Sequence, residues 1–165
     1  MAKSKRTPIP ARTIFTHPIC FLAFGFGSGL APRAPGTFGT LAAVPLYLAA
    51  SALPLPVYLA IAALMFVLGI WLCGRCERVL GVEDHSGIVC DEFVGFFVTM
   101  IAVPPTPATV IAGFALFRLF DIWKPWPIRL VDRRLHGGLG VIFDDVLAGV
   151  YGWAVLGLLT HWLGL

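Results

Sequence analysis

Along most of this chain the polar positions are missing rather than periodic. Four stretches contain no Asp, Glu, Lys or Arg: Phe38 to Leu53, Val57 to Cys73, Phe93 to Phe117, and Val146 to Leu165. A helix crosses a bilayer in about 20 apolar residues, so the last stretch predicts a single crossing. The first two are separated by Pro54-Leu55-Pro56, and the third is interrupted by Pro104-Pro105-Thr106-Pro107. Proline removes a backbone donor and clashes with the preceding turn, so each cluster predicts an elbow between antiparallel helices. The pattern predicts an all-α fold: a polytopic membrane helical bundle with two proline-bent hairpins and a C-terminal transmembrane helix. The second hairpin runs from about Ser86 to about Lys124.

Composition supports the bilayer. Of 165 residues, 58% are hydrophobic and 13% charged, and the mean hydropathy is +0.87. Soluble domains are roughly half apolar and about a quarter charged. A nucleic-acid partner is not expected from such a chain. The length suits one domain, placed at residues 18–165. Ahead of it, Met1 to His17 carries Lys3, Lys5, Arg6 and Arg12 without apolar periodicity and predicts a disordered basic tail. Phe21 to Ala31 is a poor match to a cleavable signal, and no cleavage is expected. Cys20, Cys73, Cys76 and Cys90 include one Cys-x-x-Cys pair without a partner pair, which reads as apolar packing rather than a zinc site.

The placement of charge is more informative than its sum. With an elbow at each proline cluster, Gly25 to Thr40, Gly74 to Glu92 and Arg118 to Asp145 emerge on one side of the membrane. All 12 Lys and Arg and all nine Asp and Glu then lie on that side or in the tail. Basic residues in short loops mark the cytoplasmic face. Asp91 and Glu92 precede the second elbow by about as many residues as Arg118 and Asp121 follow it, roughly 16 to 21 Å at ~1.5 Å per residue. The two pairs are expected to face each other at one depth.

Several groups there could carry chemistry. Asp84, Asp91, Glu92, Asp121, Asp144 and Asp145 form a carboxylate set with bases interleaved. Hard oxygen ligands suit Mg²⁺ with a phosphate substrate, and carboxylates near a bilayer are commonly paired or functional. Surface salt bridges and caps are the alternative, with Asp144 placed to cap the last helix. Arg118, Asp121 and Lys124 share a helix face, where the guanidinium fits a phosphate and the ammonium acts as a point charge. Arg129, Arg133 and Arg134 suit positive-inside anchoring equally well, and Trp123 and Trp126 suit an interfacial belt. His136, followed by Gly137, Gly138 and Gly140, is a candidate acid or base beside a flexible turn, or simply a solvated ring. Gly25 to Thr40 is rich in Gly and Pro, offers Thr37 or Thr40 as a helix cap, and holds Arg33 as an aid to phosphate binding. It lacks the Gly-Lys-Ser/Thr of a Walker loop. Spacing also excludes a cysteine-phosphatase loop and an Asp-x-Asp nucleophile.

Four stretches, GFGSGLAPRAPGTFGTLAA (25–43), EDHSGIVCDEFVGF (83–96), FRLFDIWKPWPIR (117–129) and HGGLGVIFDDVLAG (136–149), resemble the phosphatidylglycerophosphatase A family in residues, order and spacing. The resemblance implies a multi-pass enzyme of the bacterial inner membrane. Such an enzyme is Mg²⁺-dependent and converts phosphatidylglycerophosphate to phosphatidylglycerol and inorganic phosphate. By motif, its acidic positions fall on Asp84, Asp91, Glu92, Asp121, Asp144 and Asp145, with Arg118, Lys124 and His136 as phosphate partners. On this footing Asp91, Glu92, Asp121 and Asp145 are the expected Mg²⁺ ligands and Arg118, Lys124 and Arg33 the phosphate-binding groups. Asp84, His136 and Asp144 are the catalytic candidates, with Asp84 or His136 as proton carrier. The sequence leaves open direct attack by water or a phospho-enzyme, and also the oligomeric state. A small transporter or channel subunit is the rival reading; it predicts charges spread through the bilayer depth, which the four apolar stretches lack.

Overall fold

The computed structural model describes residues 9–82, 85–135 and 137–163, and every regular element among them is helical. In chain order these are α1 (Ala11–Thr16), α2 (Pro18–Ala23), a 3-10 turn (Ser28–Leu30), α3 (Pro35–Ser51), α4 (Leu55–Leu80), α5 (Cys90–Thr99), α6 (Pro107–Trp123), α7 (Ile128–Arg134) and α8 (Gly137–Leu163).

Prolines set the boundaries, chiefly as starters. Pro35, Pro56 and Pro107 occupy first-turn positions of α3, α4 and α6, where no intrahelical donor is lost. Thr106 and Thr109 close a reciprocal capping box at the start of α6, each side chain meeting the other's backbone N–H at 3.2 and 3.0 Å. Gly81, with φ +64°, ends α4 in a left-handed turn. Both expected breaks are therefore present between helices, at 52–54 and 100–106. They lie together: Leu53 and Leu55 share a cavity of about 130 Å³ with Met100, Ala102 and Val103, and the Tyr47 hydroxyl donates to the Val103 carbonyl at 3.3 Å.

Length separates the helices into two kinds. Among the described residues, α4 and α8 are long and apolar enough to cross a membrane. α4 turns Leu59, Leu64, Val67, Leu68 and Trp71 outward. By contrast α5 has ten residues, about 15 Å at 1.5 Å each, against roughly 30 Å of hydrocarbon. Nine of those ten are buried, because α5 packs most extensively on α8 and also on α3, α4 and α6. The apolar stretch Phe93 to Phe117 thus hides a short core helix, wrapped by protein, followed by a longer one.

The tail expected through His17 also stops short. Residues 11–16 form α1, and Ile14 is fully buried in an apolar cluster with Cys20, Ala23, Cys73 and Cys90. Residues 1–8 lie outside the described set.

Candidate active site

Three helices each bring acidic groups to one end of α5. α5 carries Asp91 and Glu92 in its first turn, α6 carries Arg118 and Asp121 one turn apart, and α8 carries Asp144 and Asp145 two turns from its start. The convergence of Asp91 and Glu92 with Arg118 and Asp121, expected from counting residues to the second break, is present. Arg118 Nη1 forms an ion pair with Glu92 and a second, at 2.7 Å, with Asp121 Oδ2. Asp145 is buried with Asp121, Glu92, Asp91 and Asp144 as its acidic neighbours.

α3 closes the site from the other side. The Thr40 hydroxyl lies 3.0 Å from the Gly36 carbonyl and 3.2 Å from Glu92 Oε2. A Cβ at Gly36 would stand 2.0 Å from Glu92 Oε1 and 3.0 Å from Arg118 Nη1. Only glycine lets the first turn of α3 come this close. Thr37 and Thr40, expected as caps, do not cap: α3 begins earlier, at Pro35, without a side-chain cap.

Lys124 follows the last residue of α6 with φ +47°, and that left-handed turn swings its side chain back. Its Nζ donates to Asp132 of α7 at 2.6 Å and also to Asp144 of α8. Burial disfavours the ammonium, but Asp144 and Asp132 outweigh it and hold the Lys124 pKa above the usual lysine value. The group is therefore charged at neutral pH.

Among the described residues, five buried carboxylates, Asp91, Glu92, Asp121, Asp144 and Asp145, stand here against two cationic side chains. Buried charge without compensation is costly. Two carboxylate oxygens, Asp144 Oδ1 and Asp145 Oδ2, are buried with no hydrogen-bond partner among the described residues, as is Arg118 Nε. An oxygen-only donor set with orphaned oxygens and excess negative charge fits a hard divalent cation. Among the described residues, no three His, Cys, Asp or Glu already stand as a ligand group; Glu92, Asp121 and Asp144 are instead held by the bases.

Other expected site residues are distributed differently. Arg33 is exposed on the loop before α3 and takes part in none of the ion pairs just described. Asp84 and His136 lie outside the described residues. Asp144 does not cap the last helix, since α8 already begins at Gly137. Of the glycines after His136, Gly138 serves packing, because a Cβ there would stand 2.3 Å from the Ile70 carbonyl of α4, whereas Gly137 has φ +69° and open space around it. Three further polar groups, Asp132, Glu77 and His85, were not singled out by sequence reasoning, and Thr40 was expected only as a candidate helix cap. Thr40 and Asp132 touch the site directly. Glu77 and His85 are buried nearby in the fold; His85 Nδ1 accepts from the Gly87 N–H at 3.0 Å, and its ring packs on Phe24. A polar residue just beyond an apolar run was the signal available for Glu77.

Residues 21–160 match the family described as Phosphatidylglycerophosphatase A. The chain is 43% identical over 152 residues to the Phosphatidylglycerophosphatase A of Escherichia coli strain K12, covering 92% of this chain and 88% of that protein. It is 46% identical over 149 residues to the Haemophilus influenzae protein of the same name, covering 89% and 91%. A Bacteroides thetaiotaomicron protein, provisionally named a phosphatidylinositol-3-phosphatase, is 43% identical over 147 residues, or 84% of this chain and 91% of its own. No solved structure matches the chain at a significant level.

Proposed function

Because the chain belongs to the phosphatidylglycerophosphatase A family, we propose that the cluster around Arg118 is where it removes the terminal phosphate of phosphatidylglycerophosphate. It is a phosphoric monoester hydrolase, and its products are phosphatidylglycerol and inorganic phosphate. The observation that carries this assignment is the sharing of one guanidinium, Arg118, by Glu92 of α5 and Asp121 of α6.

The reading places α4 and α8 across the bacterial inner membrane. α5 and α6 form a hairpin whose first half does not span, and the charged end faces the cytoplasm. The basic residues of that end support this orientation. The substrate's acyl chains then remain in the bilayer while its head group reaches Arg118 and Lys124.

Each side chain has a task that follows from its contacts. Arg118 presents a planar fork to phosphate oxygens. Lys124 adds a second positive charge, and Asp144 and Asp132 aim its amine. Thr40 and Gly36 fix Glu92. Electrostatic groups held in place before reaction contribute much of the rate in phosphoryl transfer. Asp91, Glu92, Asp121 and Asp145 would hold Mg²⁺, which when bound neutralises phosphate charge and polarises phosphorus for attack. Asp84 or His136 carries the proton, and Asp144 acts on Lys124 rather than on the substrate.

The test is phosphate release from a short-chain phosphatidylglycerophosphate by the purified protein in neutral detergent. The expected result is turnover that stops with a chelator and returns with added Mg²⁺. Turnover unaffected by chelation would overturn the metal assignment, and no phosphate release with either would overturn the activity.

A further inference from the structure

α7 connects α6 to α8 and is anchored on one face only. Ile128 is fully buried in the main core, and Asp132 is turned toward Lys124. Positions 128, 132 and 135 share that face by helical spacing. Arg129, Leu130, Arg133 and Arg134 occupy the opposite face, and all four are exposed.

The turn leading into α7 continues this surface. Trp123 and Trp126 are 68% and 78% exposed, and Ile122 is 71% exposed. The segment's other charges, Lys124 and Asp132, are paired with each other. What remains outward is three guanidinium groups, no carboxylate, two indoles and two aliphatic side chains. Indoles settle at head-group depth with the ring in the acyl boundary, and basic residues beside them are attracted to anionic lipid. An acidic protein surface would complement the arginines but would leave the exposed indoles and aliphatic groups without apolar contact.

We propose that the outward face of the Ile122 to Arg134 segment is a docking surface for anionic phospholipid head groups, distinct from the inward-turned Lys124 and Asp132 of the phosphate-releasing cluster. It would concentrate acidic lipid, the substrate included, beside that cluster. Lys124 ties this surface to Asp144, so lipid docked on α7 lies next to the reacting groups. The inference rests on the lipid-phosphatase reading for its purpose, and its primary test does not depend on activity.

That test is native mass spectrometry of the full chain in neutral detergent, offered equal phosphatidylserine and phosphatidylcholine. The wild type is expected to prefer phosphatidylserine by on the order of tenfold, because basic residues at the head-group boundary attract anionic lipid. The triple variant Arg129→Gln, Arg133→Gln, Arg134→Gln is expected to lose the preference. The matching triple Lys variant is expected to keep it, because a point charge suffices. In a second arm, nanodiscs with about a third phosphatidylserine should lower the wild-type apparent KM relative to pure phosphatidylcholine. The Gln variant should not respond, and its kcat on short-chain substrate in detergent should be unchanged. An unaltered phosphatidylserine preference in the Gln variant, or equal retention of both lipids by the wild type, would overturn the proposal. Absence of phosphate release by the wild type would sink the phosphatase reading alone, since the adduct spectra still decide docking.

Discussion

Asp121→Asn is expected to reduce phosphate release on the order of a hundredfold or more while the protein remains folded. Asparagine has the same shape and still accepts from Arg118, so the ion pair with Glu92 survives as a structural tie. What is lost is one negative charge from a cluster where Asp145 already has four acidic neighbours. Removing like charge relieves repulsion in the absence of a cation, so thermal stability without Mg²⁺ is expected to stay level or rise. Cation affinity and charge balance at the phosphate suffer instead, and the Mg²⁺ needed for half-maximal turnover is expected to increase. Phosphate release measured against Mg²⁺ concentration, with helix content followed by circular dichroism, checks both halves. Undiminished Mg²⁺-dependent turnover in a well-folded Asp121→Asn protein would remove Asp121 from the site.

Gly149→Ala is expected to lower both stability and turnover, for a reason seated one helical turn from the carboxylates. A Cβ at Gly149 would stand 2.4 Å from the Gly95 carbonyl oxygen, and one at Gly95 would stand 2.7 Å from the Asp145 carbonyl oxygen. Here α5 and α8 meet backbone to backbone, with Thr99 Oγ1 at 3.0 Å from the Gly95 carbonyl and 3.3 Å from that of Gly149. Small residues permit such close approach between apolar helices. A methyl group cannot be absorbed by backbone, so the helices must separate, at a cost of roughly 1–3 kcal/mol. Asp144 and Asp145 would then move relative to Glu92, and a displacement of about 1 Å can cost on the order of a hundredfold in rate. Gly157 in the same helix supplies the control, because a Cβ there meets nothing within 4 Å; Gly157→Ala is expected to be neutral or mildly stabilising. Thermal unfolding and phosphate release of the two variants side by side decide the matter. Equal behaviour would show that the close contact does not position the acids.

Much of this arrangement was legible in the sequence because bilayers punish charge. Clearing Asp, Glu, Lys and Arg from long stretches forces them to the ends, and proline clusters mark the breaks between helices at 52–54 and 100–106. Counting residues from the second break then brought Glu92 opposite Arg118 and Asp121, as the Arg118 ion pairs bear out. The nature of α5 was not legible. A helix apolar on every side reads alike whether lipid or protein covers it, and only packing shows that nine of its ten residues are inside the molecule. The glycines after His136 read as a flexible turn, which Gly137 with φ +69° fits, but Gly138 marks the place where α8 passes against α4. The partners of Lys124 were hidden too. Asp132 lies eight residues away across a turn and Asp144 twenty away, spacings that carry no helical signal. Ile14 went unread because one buried contact in a basic segment leaves no periodicity.

The central claim is that acids from α5 and α6 act as one unit through Arg118. A double-mutant cycle in turnover, with Glu92→Gln and Asp121→Asn made singly and together, tests it most directly. Strong non-additivity is predicted, with the double variant within a few-fold of the weaker single variant. Losses that simply multiply would place Glu92 and Asp121 in separate functions and contradict the account.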